Sequence, residues 1–210
     1  MTEQKLEKRP VPPSWDSRYS MDGFAFGDEP NEFLHSQEAL LQTRPGRALC
    51  LAEGEGRNAV WLARLGYSVT AVDLSVVGLT KATVLAQRAG VQITTVHADL
   101  AEYGLGEQRW DLIVSIWCHL PPQLRAAVHR SVVAALKPGG LLVLTAYTPG
   151  QPARGTGGPA NPELCMSLSA LRAELDGLEL LQAEEVVREV HEGRYHNGRS
   201  EVVQVVGRKP

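Results

Sequence analysis

The chain is 210 residues long with 43% apolar residues, enough to bury one substantial core within a single domain. A formal charge of −3 with scattered lysines and arginines offers no electrostatic footprint for a nucleic-acid backbone or an anionic membrane, so the expected partner is a small molecule. Cys50, Cys118 and Cys165 are odd in number and far apart, which supports neither a disulfide framework nor a zinc cluster, and no metal is expected.

The N-terminus is polar and proline-containing, without an apolar signal-peptide core, and no later segment approaches the length of a membrane span. These features predict a protein of the cytoplasm. Residues 1–14 read as a poorly ordered arm, and 15–31 combine aromatic residues with glycines in a segment that should fold over something. Phe33, Leu34, Leu40 and Leu41 suit a helix over 31–42, ended by Arg44-Pro45-Gly46. The chain thus divides into an arm and cap helix, 1–45, and a main domain, 46–210.

From residue 47 short apolar runs alternate with helical stretches. Strands are predicted at 47–52, 68–73, 92–97, 110–116 and 141–147, with helices at 57–65, 75–89 and 121–136. Such alternation is the mark of βαβ units, which place helices on both faces of a largely parallel sheet. A Gly/Pro-rich flap follows at 149–162, then a short helix at 167–174 and two strand-like runs at 179–192 and 200–207. Tyr195-His196-Asn197-Gly198 carries the Asn-Gly pair of a hairpin turn, so an antiparallel hairpin should close the sheet, with His191 and His196 facing solvent. Lys137-Pro138-Gly139-Gly140 reads as a turn before its strand.

In a doubly wound α/β sheet, ligands bind outside the carboxyl ends of the strands. Glu53-Gly54-Glu55-Gly56-Arg57-Asn58 falls there. Glycines at 54 and 56 let the backbone approach a ligand, and the next helix offers free N–H groups. This spacing also fits a dinucleotide fingerprint, Gly54-x-Gly56-x-x-Ala59. Asp73, ending the run Val69-Thr70-Ala71-Val72, can accept both hydroxyls of a ribose, while Leu74-Ser75 supplies a separate helix cap. Asp99, in Ala98-Asp99-Leu100, can accept from an adenine amino group or cap a helix; the adenine role favours S-adenosylmethionine (SAM) over NAD.

With these residues on view, the stretch 47–147 resembles the class I SAM-dependent methyltransferases. The run Gly56-Arg57-Asn58-Ala59-Val60-Trp61-Leu62-Ala63, with Gly66-Tyr67-Ser68-Val69 and Val72-Asp73-Leu74-Ser75, looks most like the small tellurite-resistance and thiol-methyltransferase branch. The resemblance implies a three-layer αβα fold around a seven-stranded, mostly parallel sheet with a reversed last hairpin. It also implies methyl transfer from SAM, with S-adenosylhomocysteine as product. The implied contacts are Glu53, Gly54 and Gly56 with the methionine part, Asp73 and Leu74 with the ribose, and Asp99 and Leu100 with the adenine. Ala52, Asn58, Ser75 and Ser115 complete the cofactor-binding set. Two positions depart from the family pattern: Cys50 stands where an acid is usual and Ala52 where a glycine is usual, with Glu53 placed to assume part of the acid's work.

The acceptor is expected at the end of the fourth strand, Ser115-Ile116-Trp117-Cys118-His119-Leu120-Pro121. His119 is the candidate base there, with Trp117 and Tyr147 as candidate pocket walls. Trp15-Asp16-x-Arg18-Tyr19 and Phe24-Ala25-Phe26-Gly27 resemble the branch's N-terminal cap, in which Arg18 is placed to hold the methionine carboxylate; a hydrophobic staple is the alternative. The leading expectation is methylation of a small acceptor, such as a thiol or a selenium or tellurium compound. The alternatives are a nicotinamide-dependent oxidoreductase and a non-catalytic SAM-binding regulatory module. Oligomeric state is not legible.

Overall fold

A computed structural model describes residues 15–43 and 45–210; the arm predicted at 1–14 lies outside the described residues. The apolar runs form strands β1 (Arg47–Leu51), β2 (Ser68–Asp73), β3 (Thr94–His97), β4 (Trp110–Ile116), β5 (Leu136–Tyr147), β6 (Glu179–Glu192) and β7 (His196–Arg208). They lie in the order β3-β2-β1-β4-β5-β7-β6. The first five pair in parallel, and β7 runs antiparallel between β5 and β6.

Side chains of the central strands alternate between the faces, as a period of two requires. Leu49, Leu51, Ile113, Leu142 and Leu144 pack on the side of helices α6 (Pro122–Ala135) and α7 (Leu168–Glu174). Ala48, Cys50, Leu112, Val114 and Val143 pack on the other side, with Leu34, Leu62 and Leu79. These come from α2 (Glu32–Ser36), α4 (Arg57–Arg64) and α5 (Val76–Arg88). Cys50 is fully buried, and burial pushes its thiol pKa up, so it behaves as a small apolar side chain. The result is the expected doubly wound three-layer αβα fold.

Three local predictions need correction. The helix expected over 31–42 is two short ones, α2 and α3 (Glu38–Leu41), broken at Gln37, where the Ser36 hydroxyl donates to the Phe33 carbonyl. The Lys137-Pro138-Gly139-Gly140 segment is not a turn before β5 but an irregularity inside it, shifting the register from Trp110↔Leu136 to Leu112↔Leu141. The hairpin reverses at 193–195, and Asn197 and Gly198 already belong to β7, paired with His191 and Val190. Gly193 takes the left-handed conformation (φ 61°) and lies directly against the backbone of Phe26, where a Cβ would collide, so packing decides the turn.

The flap after β5 is ordered by Gln151, whose amide donates to Thr156 and to the Gly157 carbonyl while accepting from the Glu201 N–H. Beneath it, Arg125 and His129 on α6 both engage the Glu174 carboxylate of α7, at 2.8 and 2.7 Å. Burial raises the Glu174 pKa, but His129 and Arg125 outweigh it and hold it at about 2.

Glu174→Ala should cost about 3–5 kcal/mol of stability in urea unfolding, since it strands a buried guanidinium. The folded pKa lies below the unfolded value of about 4.3. The contribution is therefore complete above that pH and lost as pH falls toward 2, a dependence that the alanine variant should lack.

Candidate active site

The chain leaves the neighbouring strands β1 and β4 through two non-glycine residues in the left-handed region, Ala52 (φ 48°) and Trp117 (φ 57°). Such conformations cost about 1–3 kcal/mol each and persist where the surroundings over-determine them, often at functional sites. After Ala52 the turn continues through Gly54 (φ 63°) and Gly56 (φ 91°) into α4. Asp73, at the tip of β2, faces this turn: Oδ2 accepts from the Gly54 N–H and Oδ1 from the Ser75 N–H, both at 2.7 Å. Burial pushes its pKa up against those N–H groups, and each oxygen keeps a further lone pair. Leu74 and Val76 beside it are more than half and half exposed, at 57% and 50%.

The other predicted residues are placed as follows. Asp99 is exposed after β3, one oxygen accepting from the Ala101 N–H, with Leu100 half-buried beside it. Glu53 folds down, Oε1 accepting from the Ala59 N–H at 2.7 Å, and burial pushes its pKa up to about 7 despite that bond and nearby Arg57. Asn58 accepts from the Asn31 N–H. Ser75 caps α5 by accepting from Gly78 N–H, and its hydroxyl donates to Asp16 on α1 (Trp15–Tyr19). Ser115 is buried in β4. Gly56 abuts Ala82 of α5, and Gly54 faces the Tyr19 hydroxyl. Arg18 lies over the rings of Trp15 and Tyr195, at 5.0 and 4.7 Å.

Residues 15–31 are fastened over the turn by charged groups. Lys81 of α5 donates to the carbonyls of Met21 and Gly23 and to Glu55, whose other oxygen accepts from the Ala25 N–H. A second fastening is centred on Glu192, buried at the end of β6. One oxygen accepts from Arg57 Nη2 (2.5 Å) and Trp117 Nε1 (2.6 Å), the other from Asn31 Nδ2 (2.6 Å). Burial raises its pKa, but His196, Arg57 and Trp117 outweigh that and hold it at about 2.

Around Glu192 stands a group of rings. Trp117 stacks on Tyr147 with centroids 4.4 Å apart, and His196 meets both edge-on at 5.0 and 5.1 Å, with Phe26 of the cap at 4.6 Å. His196 is therefore buried, contrary to the solvent-facing position expected for it, because the turn at 193–195 carries it inward; His191 is exposed. His119 has both ring nitrogens engaged: Nδ1–H donates to the Leu164 carbonyl (3.0 Å) and Nε2 faces the Tyr147 N–H (3.5 Å). Burial lowers its pKa to about 4, and it ties β4 to the flap.

Comparison with known proteins bears on the fold and the family. Residues 48–140 match a family model described as a methyltransferase domain. Ribosomal RNA small subunit methyltransferase C of Alcanivorax borkumensis is 33% identical over 122 residues. The match takes in 54% of this chain and 36% of that protein, so the chain spans about a third of the length of this curated relative. Among solved structures, one described for conversion of a disulfide bond into a thioacetal group during echinomycin biosynthesis superposes with a TM-score of 0.72 at 20% identity, covering 92% of this chain and 87% of the other. TehB from Haemophilus influenzae gives 0.69 at 18% identity, covering 85% and 62%. Magnesium protoporphyrin IX methyltransferase from Synechocystis, solved with SAM bound, gives 0.62 at 17% identity, covering 84% and 78%. Residues 48–140 are thus similar to a methyltransferase domain, and the chain shares the doubly wound fold of these solved structures.

Sequence reasoning passed over Asn31, Glu55, Arg57, Lys81, Glu192 and His196. Arg57 and Asn58 lie within the recognised run, but their partners are remote in the chain.

Gly56→Ala should destabilise the fold without any ligand present. Its Cβ would lie 2.5 Å from the Ala82 Cβ and 2.7 Å from the Ala82 Cα at a φ of 91°. We expect a loss of about 1–3 kcal/mol in urea denaturation, only partly restored by Ala82→Gly, which leaves the clash with the α5 backbone in place.

Proposed function

We propose that this chain transfers a methyl group from SAM to a small-molecule acceptor. The observation that carries the reading is Asp73. A buried carboxylate at the tip of β2 is held by two backbone N–H groups, retains lone pairs, and faces a glycine turn inside a matched methyltransferase domain. The donor set suits an adenosyl ligand: Asp73 for the hydroxyls and apolar surface at Leu74 and Val76.

In this reading Asp73 takes the ribose hydroxyls and Leu74 packs beside them. Asp99, through its remaining oxygen, and Leu100 hold the adenine. The turn formed by Ala52, Glu53, Gly54, Gly56 and Asn58, with Ser75 and Ser115, shapes the methionine end. Arg18, whose guanidinium meets rings rather than a carboxylate among the described residues, takes the methionine carboxylate. Bound SAM supplies an electrophilic methyl on a positively charged sulfur. Since that charge is lost on transfer, the protein's tasks are alignment and exclusion of water. Residues 15–43 act as the cap of the 1–45 segment, with Tyr19 and Phe26 facing the site and Lys81 and Glu192 holding them there. Trp117 and Tyr147 wall the acceptor pocket, while His119 positions the flap. The apolar rings gathered beneath the cap support a small acceptor, of which a thiol or a selenium or tellurium compound is the preferred class.

Isothermal titration with S-adenosylhomocysteine tests the cofactor site. Asp73→Ala should weaken binding about 10–100-fold, the equivalent of about 1.5–3 kcal/mol for hydrogen bonds to a charged group. Unchanged affinity in a folded variant overturns the assignment. Binding without methylation across a panel of thiols, chalcogenides and amines would mark a regulatory module instead.

A further inference from the structure

The sheet has two outer strands, and they differ. β3 on one side is only 4 residues long, whereas β6 on the other is 14 residues long and paired along one edge alone, with β7. Among the described residues, the backbone of 182–191 makes no main-chain hydrogen bond outside its ladder with β7. Free edges are usually blunted by brevity, proline, lysine or bulges. β6 contains no proline, glycine or lysine, and its register shift lies near its start, between Leu180 and Gln182, so the ladder from there to Glu192 is regular. Leu181 and Val187 stand exposed on it, at 43% and 46%. Such an edge is a template for another strand, and its charges select which one.

Glu184, Val186 and Arg188 share one face of β6, where Gln182 donates to Glu184 and Arg188 pairs with Glu32 of α2 at a site open to solvent. Glu184, Glu185 and Glu189 are exposed. Two copies joined edge to edge by a two-fold axis normal to the sheet keep each face on its own side. Directly opposite residues then share a face, and the axis passes through one residue of β6. That restriction leaves few registers. An axis through Glu184, Glu185, Arg188 or Glu189 sets a charge against its own copy, and an axis through Val187 sets Glu185 against Glu189. Axes nearer the ends pair only a short part of the strand. An axis through Val186 opposes Val186 to itself, Gln182 to Val190 and Glu184 to Arg188, the last pair formed twice by symmetry. On the other face Val187 meets Glu185 and Ala183 meets Glu189, so no like charges are opposed. Unlike charges directly opposite stabilise an antiparallel pair, and like charges destabilise it.

We propose that β6 is a self-association edge, on which a second copy of this chain pairs in antiparallel register centred on Val186 and joins the two sheets into one. The inference does not depend on the methyl-transfer reading. In the dimer Arg188 lies between Glu32 of its own chain and Glu184 of the second copy, a cation flanked by two acids. The free N–H and C=O groups of β6 gain partners, and the exposed Val187 gains cover. A contact through one strand is at the small end of specific interfaces, so association should be reversible, with a dissociation constant on the order of 10 μM.

Sedimentation equilibrium of the full chain, from about 1 to 500 μM, tests this. Wild type should pass from monomer to dimer across that range. Glu184→Arg opposes two cations and Arg188→Glu opposes two anions, so each variant alone should self-associate at least about tenfold more weakly. Mixed in equal amounts, the two should form a heterodimer within about threefold of the wild-type affinity, because every opposed charged pair between them is then unlike in sign. A wild type that stays monomeric throughout overturns the proposal. So does a dimer that survives either reversal, which would place the interface on another face, or a mixture of folded single variants that stay apart. Glu184 is exposed and held only by Gln182, so its reversal keeps the fold, and persistence of the Glu184→Arg dimer is decisive by itself.

Discussion

The buried carboxylate of Glu192 is the constraint around which the site is arranged. Placing an ion in a protein interior costs several kcal/mol unless its lone pairs are met by well-aligned donors. Here the donors come from three separate places: Arg57 at the start of α4, Trp117 at the end of β4 and Asn31 at the start of α2, with His196 3.9 Å away across the hairpin turn. None of these segments is sequential with another, so the charge can be accommodated only when the cap, the cofactor turn, the β4 tip and the hairpin are all docked. That makes the docking cooperative. An unpaired Glu192, or an unpaired Arg57, would be penalised far more than a loose surface contact.

The same carboxylate explains how the strain at Trp117 is sustained. A bulky residue at φ 57° has no local reason to stay there. Its indole N–H is fixed by Glu192 on one side and its ring by the stack on Tyr147, which is covered in turn by Gly157 and Gly158 of the flap, where any Cβ would collide with Tyr147. The strain turns β4 abruptly, so that Trp117 faces the ring cluster and Cys118 the core, while His119 reaches the flap carbonyl of Leu164. A straight continuation of the strand would have sent these three side chains elsewhere.

Much of the scaffold was legible because it depends on short-range pattern. Strands β2 and β4 and the Ser75 cap of α5 follow from apolar runs and cap chemistry over a few residues. Asp73 was equally visible, since a carboxylate ending an apolar strand before a glycine turn's neighbour has few other uses. The region around Glu192 was not legible. His191-Glu192 and Tyr195-His196 have the polar composition of an exposed hairpin end, and Asn197-Gly198 offers a turn signal stronger than Gly193 does. What overrides that signal is contact with Phe26, a residue more than 160 positions away, which only the cap can supply. Local turn preference is a fraction of the free energy at stake when a buried ion pair and four rings depend on the register.

The departure at Cys50, with Glu53 nearby, follows a related logic of charge placement. An acid within β1 would have to be buried in the sheet; this chain keeps Cys50 there, fully enclosed among Leu34, Leu62 and Val114. The acid appears three residues later, in the turn, and folds back so that its carboxylate accepts the Ala59 N–H, one of the orphan donors in the first turn of α4. The helix N-terminus therefore still meets a carboxyl oxygen, from a different backbone position. Burial pushes the pKa of this carboxyl well above the usual carboxylate range. The positive end of α4 and the Arg57 guanidinium favour the ion, while desolvation favours the acid. Glu53 thus caps α4 from the turn.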